Sequence, residues 1–210
     1  MTDSGTTEHV SALAPFGNRA FKWLWIGVVI SSVGAWAQTV GAQWLFINDP
    51  NAATIVSLVQ SATVLPMLLF GLAAGALADA FDRRRLLLFV QLYSGTVAII
   101  LAVLTWLDRM PPLLLLAFTF LIGAGTAMQV PTWQPLITEL VPRSQIAQAT
   151  RLDMVSVNVA RAVGPAIAGL IIAAWGVPLV FLLTAVSALF LIGALLAWPL
   201  GRTRSTGATP

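Results

Sequence analysis

One arginine, Arg161, lies well inside a long apolar segment of the sequence, where a charged side chain needs a specific reason. It comes seven residues after the start of the segment 154–175, which is about 10 Å along a helix. A guanidinium at that depth in hydrocarbon costs at least about 2.5 kcal/mol, so it must either reach the surface or face a polar cavity. Asn158, three residues earlier, shares its helical face. In a cavity, the pair would bind an anionic group or a cluster of carbonyl oxygens.

Amide side chains form a second candidate site, because they recur just past the middle of the first and the fourth apolar segments. The first segment carries Gln38 and Gln43 beside Thr39, and the fourth carries Gln129 and Gln134 around Thr132 and Trp133. A single glutamine in such a segment often joins two helices by a hydrogen bond, but the matched placement favours a shared cavity. The candidate cavity residues are therefore Gln38, Gln43, Gln129, Trp133, Gln134, Asn158 and Arg161.

The sequence lacks the residue patterns that catalysis, metal binding or nucleotide hydrolysis would need. It has no cysteine, and its one histidine, His9, lies in a polar N-terminal tail. All eight acidic residues lie in tails, turns or segment ends, so no carboxylate pair sits at depth. Asp153 and Glu139 are the nearest candidates to carry a proton, but a structural role is favoured for each. No phosphate-binding loop is present. We therefore expect no enzyme activity, no metal and no cofactor.

Six apolar segments, each long enough to cross a bilayer, must position these side chains. Hydrophobic residues make up 58% of the chain and charged residues 9%, against roughly 25% charged residues in soluble domains. Short polar turns separate the segments, so neighbouring helices run antiparallel. The sequence predicts an all-α membrane protein with a polar tail at 1–22, a bundle of six transmembrane helices and a polar tail at 201–210. The predicted spans are 23–46, 55–78, 86–107, 113–136, 154–175 and 179–200.

The basic residues predict which way the bundle crosses the membrane. With the N-terminus in the cytoplasm, nine of the eleven Lys and Arg residues lie on the cytoplasmic side, only Arg109 lies outside, and Arg161 is within a span. We expect both termini to be cytoplasmic and the protein to reside in the plasma (inner) membrane. The basic charge thus has a membrane explanation, and we expect no nucleic-acid partner.

The turn between the second and third segments, G-A-L-A-D-A-F-D-R-R-R at 75–85, resembles the loop signature of the major facilitator superfamily. That signature is G-x-L-A-D-x-x-G-R-[RK]. Ala80 stands where the family usually has a basic residue, and Asp82 where it usually has glycine. The sequence is similar to the branch of enterobactin-exporter-like transporters, or transmembrane secretion effectors. Three further stretches, 32–45, 131–142 and 158–169, resemble the same branch.

The resemblance implies a fold and a set of gating residues. The chain would be one half of a major facilitator fold, the N-terminal one, made of two inverted three-helix repeats. Gly75, which would permit a close helix approach, and Asp79, facing a helix N-terminus of the other half, would act as a gate. Arg83 and Arg84 would pair with Glu139 in that gate. Gly164, Pro165 and Gly169 would form the helix break that the family associates with exporters, although a purely structural break fits them nearly as well.

The function implied is secondary export of small amphipathic molecules, drug-like or siderophore-like, by alternating access. Expected partners are the small-molecule substrate, the lipid bilayer and a second six-helix bundle. That bundle would be a separate C-terminal half or a second copy in a homodimer. Otherwise the chain is a truncated fragment, inactive without its other half. An exposed apolar interface is expected on the second and fifth spans. A membrane-embedded enzyme is disfavoured by the missing acid–base groups at depth.

Overall fold

The computed structural model describes residues 11–197, and they contain six α-helices that are long and apolar enough to cross a membrane. A single 3-10 turn, Ala14–Gly17, precedes the first helix, and another, Arg143–Gln145, precedes the fifth. This part of the chain contains no β-strand. The helices are α1 (Arg19–Trp44), α2 (Ala52–Ala80), α3 (Arg83–Trp106), α4 (Pro112–Leu140), α5 (Ile146–Trp175) and α6 (Val177–Ala197).

Several helices extend beyond their predicted apolar spans on the side that carries most of the arginines. The difference is largest for α5, which begins at Ile146, eight residues before the predicted start. Hydropathy detects only the apolar part of a helix, while polar end turns continue the same backbone. Asn18 caps α1 by accepting a hydrogen bond from the Ala20 amide at 2.9 Å, so part of the predicted tail is helical. The predicted tail at 201–210 lies outside the described residues.

The helices pack as two equivalent groups of three. α1 packs mainly against α5 and α6, α4 packs mainly against α2 and α3, and α3 packs against α6. Exchanging α1 with α4, α2 with α5 and α3 with α6 leaves these pairings unchanged. Because successive helices are antiparallel and each group has three, the second group is inverted relative to the first. The expected half of a major facilitator fold is therefore confirmed.

Small residues let α1 approach α6 closely. A Cβ added to Gly34 would lie 2.4 Å from the Ser187 Oγ and 3.2 Å from the Thr184 Cα. The Thr184 hydroxyl also donates a 2.9 Å hydrogen bond to the Gly34 carbonyl. Hydrocarbon offers no hydrophobic driving force between helices, so such close contacts and hydrogen bonds stabilise the bundle.

Two helices remain poorly covered by the rest of the bundle. Only 17% of the most apolar stretch of α2, and the same share of α5, is buried, against 50% for α3 and 44% for α6. On α2 the exposed side chains include Leu68 at 76% and Leu72 at 95% exposure. α2 and α5 thus carry the exposed apolar surface that the sequence predicted for them.

Candidate substrate cavity and cytoplasmic turn

A cavity of about 220 Å³ lies between α1, α4 and α5, in the half of the bundle that holds the N-terminal end of α1. Part of its lining, including Ala35 and Gln134, is exposed, so the cavity opens onto the surface of the bundle. The lining residues are Val28, Ser31, Ser32, Ala35 and Trp36 from α1, Thr126, Gln129, Val130, Trp133 and Gln134 from α4, and Asp153 and Val157 from α5.

Trp133 and Asp153 form the best-defined polar contact of the cavity. The Trp133 indole Nε1–H donates to the Asp153 Oδ1 at 2.8 Å. Trp133 is 5% exposed and packs in an apolar cluster with Leu24 and Leu136. Asp153 is half-buried. Sequence reasoning gave Asp153 no cavity role because it precedes the predicted span. The early start of α5 puts it about 10 Å inside that helix.

Of the four predicted cavity glutamines, Gln129 and Gln134 line the cavity. Gln91 of α3, buried to 1% exposure, donates from its Nε2 to the Gln129 Oε1 at 3.1 Å. This hydrogen bond orients the Gln129 side-chain amide. Sequence reasoning missed Gln91, although an amide inside the third apolar segment was a usable signal.

Gln38 and Gln43 do not line the cavity. At 100° per residue, Gln38 points about a quarter-turn away from the centre of the α1 face that lines the cavity. It is 4% exposed, and its Oε1 accepts no hydrogen bond within residues 11–197. Gln43 shares the cavity face but lies seven residues beyond Trp36, about 10 Å further along the helix.

Arg161 and Asn158 also lie outside the cavity lining. The Asn158 Nδ2 donates to the Met154 carbonyl of its own helix at 2.8 Å. The Arg161 guanidinium carbon lies 5.2 Å from the centroid of the Trp36 ring, and Arg161 is exposed. The arginine therefore contacts a cavity residue without belonging to the cavity lining itself.

Gly164 brings α5 against the same tryptophan. A Cβ added to Gly164 would lie 2.6 Å from the Trp36 Cβ and 3.1 Å from the Val33 carbonyl oxygen. The missing side chain therefore allows α1 and α5 to meet at this level. Pro165 lies inside the continuous helix α5, and a Cβ on Gly169 would meet nothing within 4 Å. Of these three predicted break residues, Gly164 makes the close contact.

The turn at 75–85 connects α2 and α3 to two other helices. Arg83 forms an ion pair with Glu139 of α4, as predicted. Arg84 does not join that pair. It donates from Nε to the Leu195 carbonyl at 2.9 Å and from Nη2 to the Leu196 carbonyl at 3.3 Å, which caps the C-terminal end of α6. Both contacts lie within one bundle, so neither is a bridge between halves.

Asp79 and Gly75 face outward from this turn. Within residues 11–197 no side-chain hydrogen bond or ion pair involves Asp79, which is exposed in the last turn of α2. A carboxylate there is unfavourable beside the negative end of its own helix. A Cβ on Gly75 would meet nothing within 4 Å, so the close approach expected at Gly75 is not made inside this chain. Asp82 caps α3 by accepting from the Arg85 amide at 2.9 Å.

A bundle of two inverted three-helix repeats with an internal cavity is the architecture of half a major facilitator transporter. The family described as transmembrane secretion effector matches residues 10–207. The chain therefore belongs to the transmembrane secretion effector family of the major facilitator superfamily, and it is a multi-pass membrane protein.

Curated relatives are transporters roughly twice as long. The staphyloferrin A transporter of Staphylococcus aureus (strain NCTC 8325 / PS 47) is 30% identical over 180 residues, which is 85% of this chain and 45% of the relative. The macrolide efflux protein A of Streptococcus pyogenes is 23% identical over 177 residues, 84% of this chain and 42% of the relative. The multidrug efflux pump Tap of Mycobacterium tuberculosis (strain CDC 1551 / Oshkosh) is 28% identical over 154 residues, 70% of this chain and 36% of the relative. The chain spans less than half the length of each of them. No solved structure matches the chain.

Proposed function

We propose that the chain is one half of a secondary exporter that moves small amphipathic molecules across the plasma membrane by alternating access. The cavity between α1, α4 and α5 carries this proposal, because it combines amide, hydroxyl and indole groups with apolar walls. Such a mixed lining suits a molecule with one polar and one apolar part. Relatives named for macrolide efflux and multidrug efflux support the direction of transport.

The cavity is open on one side, and a second helix bundle would close it. Ala35, Thr126 and Gln134 line the cavity and are exposed, so a bound molecule would be open to its surroundings on that side. The outward-facing Asp79 and the uncovered apolar faces of α2 and α5 are available for such a contact. A separate C-terminal six-helix half fits best, since the relatives are about twice as long as this chain. In the bilayer both termini would be cytoplasmic.

A second copy of the chain is the alternative candidate for that second bundle. In a symmetric pair, the Asp79 of one copy would approach the start of α5 in the other. Such a contact with a helix N-terminus contributes about 0.3–1 kcal/mol when exposed. Asp153, nearby on α5, would repel a second carboxylate, which makes the separate half the better candidate. The transport cycle proposed needs no metal or cofactor, and no enzymatic step.

The proposal is tested by filling the cavity in cells that express the chain together with a C-terminal six-helix half. Ala35→Trp puts an indole into the cavity mouth. Val186→Trp, on an exposed face of α6, is the matched control. We expect wild type and the control to lower the accumulation of amphipathic fluorescent compounds, and Ala35→Trp to abolish that effect at an equal membrane level. Unchanged efflux by Ala35→Trp would show that this cavity is not the transport path.

A further inference from the structure

The charge of the cavity differs from the one that the sequence suggested. Asp153 is the one charged residue among the described lining residues, and no lysine or arginine accompanies it there. The geometry points to a cationic substrate group, held between the Asp153 carboxylate and the ring of Trp133. This inference rests on the proposed exporter function and names the class of substrate: amphipathic molecules that carry an amine or quaternary ammonium group.

The Asp153 carboxylate accepts a single hydrogen bond within residues 11–197, although its two oxygens offer about four acceptor sites. Its Oδ1 accepts from Trp133, and no hydrogen bond from residues 11–197 reaches Oδ2. A half-buried carboxylate loses hydration, and a cation beside it compensates for that loss most effectively. Arg161 is not this cation, because its guanidinium lies over the Trp36 ring and it forms no ion pair within the described chain.

The Trp133 ring adds a second attraction for a cation. An indole binds cations over its face through the negative potential of the π system. Its N–H donates to the carboxylate, and that hydrogen bond polarises the ring towards greater electron density. The other cavity indole, Trp36, already has the Arg161 guanidinium over its ring at 5.2 Å. Trp133 lines the same cavity and has no cation over its ring within residues 11–197.

The dimensions of the cavity suit a cationic head group. A space of about 220 Å³ lies below the usual range of roughly 300–1,000 Å³ for complete ligand pockets. It can hold a phenyltrimethylammonium-sized group, while the rest of a larger substrate would extend through the exposed mouth. Gln129 and Gln134 would then contact polar atoms next to that group.

The test compares two probes of the same shape, the cation phenyltrimethylammonium and its uncharged isostere tert-butylbenzene. The chain has no native cysteine, so Ser32→Cys in the cavity gives it a single thiol. The purified chain, assembled in nanodiscs with a cysteine-free C-terminal six-helix half, is labelled with a maleimide at rising probe concentrations. The concentration that halves the labelling rate reports binding of each probe.

Asp153→Asn removes the charge and keeps an oxygen that can accept from Trp133. Asp108→Asn is the matched control, because Asp108 is exposed in the turn between α3 and α4, outside the cavity. We expect Asp153→Asn to raise the half-protecting concentration of the cation at least tenfold and to leave that of the neutral probe unchanged. Asp108→Asn should change neither. Trp133→Phe, which keeps a ring but loses the donor, should also weaken the cation selectively.

The possible outcomes distinguish a failure of this inference from a failure of the proposed exporter function. If Asp153→Asn leaves cation protection intact, or weakens both probes equally, recognition of a cation is overturned while the exporter proposal stands. If neither probe protects Ser32→Cys in a correctly assembled wild-type background, the cavity is not a substrate site and both proposals fail. If Asp153→Asn does not assemble, Trp133→Phe decides the question in the same way.

Discussion

Trp36 is held from two directions by α5. Gly164 accommodates its Cβ, and the Arg161 guanidinium stacks on its ring. The arginine that looked like a substrate ligand in the sequence is thus engaged with the wall of the cavity. A cation–π contact at an exposed site contributes about 0.5–1 kcal/mol, so Arg161 and Gly164 together favour one position of this indole.

Gly164→Ala should destabilise the bundle and disturb the cavity. The added methyl would sit 2.6 Å from the Trp36 Cβ, and forced overpacking of this kind costs about 1–3 kcal/mol. Gly169→Ala is the control on the same helix, because nothing lies within 4 Å of its Cβ position. Reversible unfolding in mixed micelles would measure both variants. Equal stability of Gly164→Ala and Gly169→Ala would contradict the close contact between α1 and α5.

At the scale of elements, the turn between α2 and α3 ties together four helices. Arg83 reaches α4 and Arg84 reaches the end of α6. The ion pair is partly exposed, with side-chain exposures of 30% and 47%, so it contributes about 1 kcal/mol at most. Arg84 stabilises the carbonyl end of α6, because a cation there interacts favourably with the helix dipole. The arginine run therefore holds this bundle together at one membrane face.

That face should be the cytoplasmic one. Ala80→Cys, next to the arginine run, should react with a membrane-impermeant maleimide only after the cells are opened. Asp108→Cys, in the exposed turn between α3 and α4, should react in intact cells. Because the chain has no native cysteine, each labelling signal comes from the introduced cysteine alone. Labelling of Ala80→Cys in intact cells would reverse the proposed orientation.

At the scale of the whole molecule, the question is what covers α2 and α5. The contact proposed for Asp79 lies near the start of α5, where Ala149 is fully buried and Ala147 is exposed. We expect cysteines at Ala80 and Ala147 on two different copies of the chain to remain uncrosslinked. We also expect the purified chain alone to show no substrate transport in proteoliposomes. Efficient cross-linking together with transport by the chain alone would instead establish the homodimer.

The helix count, the approximate spans and the family could be predicted from the sequence, for a physical reason. Whether about twenty consecutive residues can lie in hydrocarbon depends on their own composition, and the 75–85 motif is a local string of residues. Helix ends were less accurate, because polar turns such as 146–153 of α5 continue the helix without a hydropathy signal.

Which polar side chains meet was decided by tertiary structure. Gln38 and Trp36 lie two residues apart on the same helix, yet only Trp36 lines the cavity, because the rotation of α1 against its neighbours chooses the face. Asp153 meets Trp133 only because α4 and α5 pack at that depth. Arg84 finds the end of α6, 111 residues away, instead of Glu139. The sequence by itself determined a membrane-spanning half-bundle, since hydrophobicity is a local property. The charge and shape of its cavity depend on contacts between distant segments, which only packing brings together.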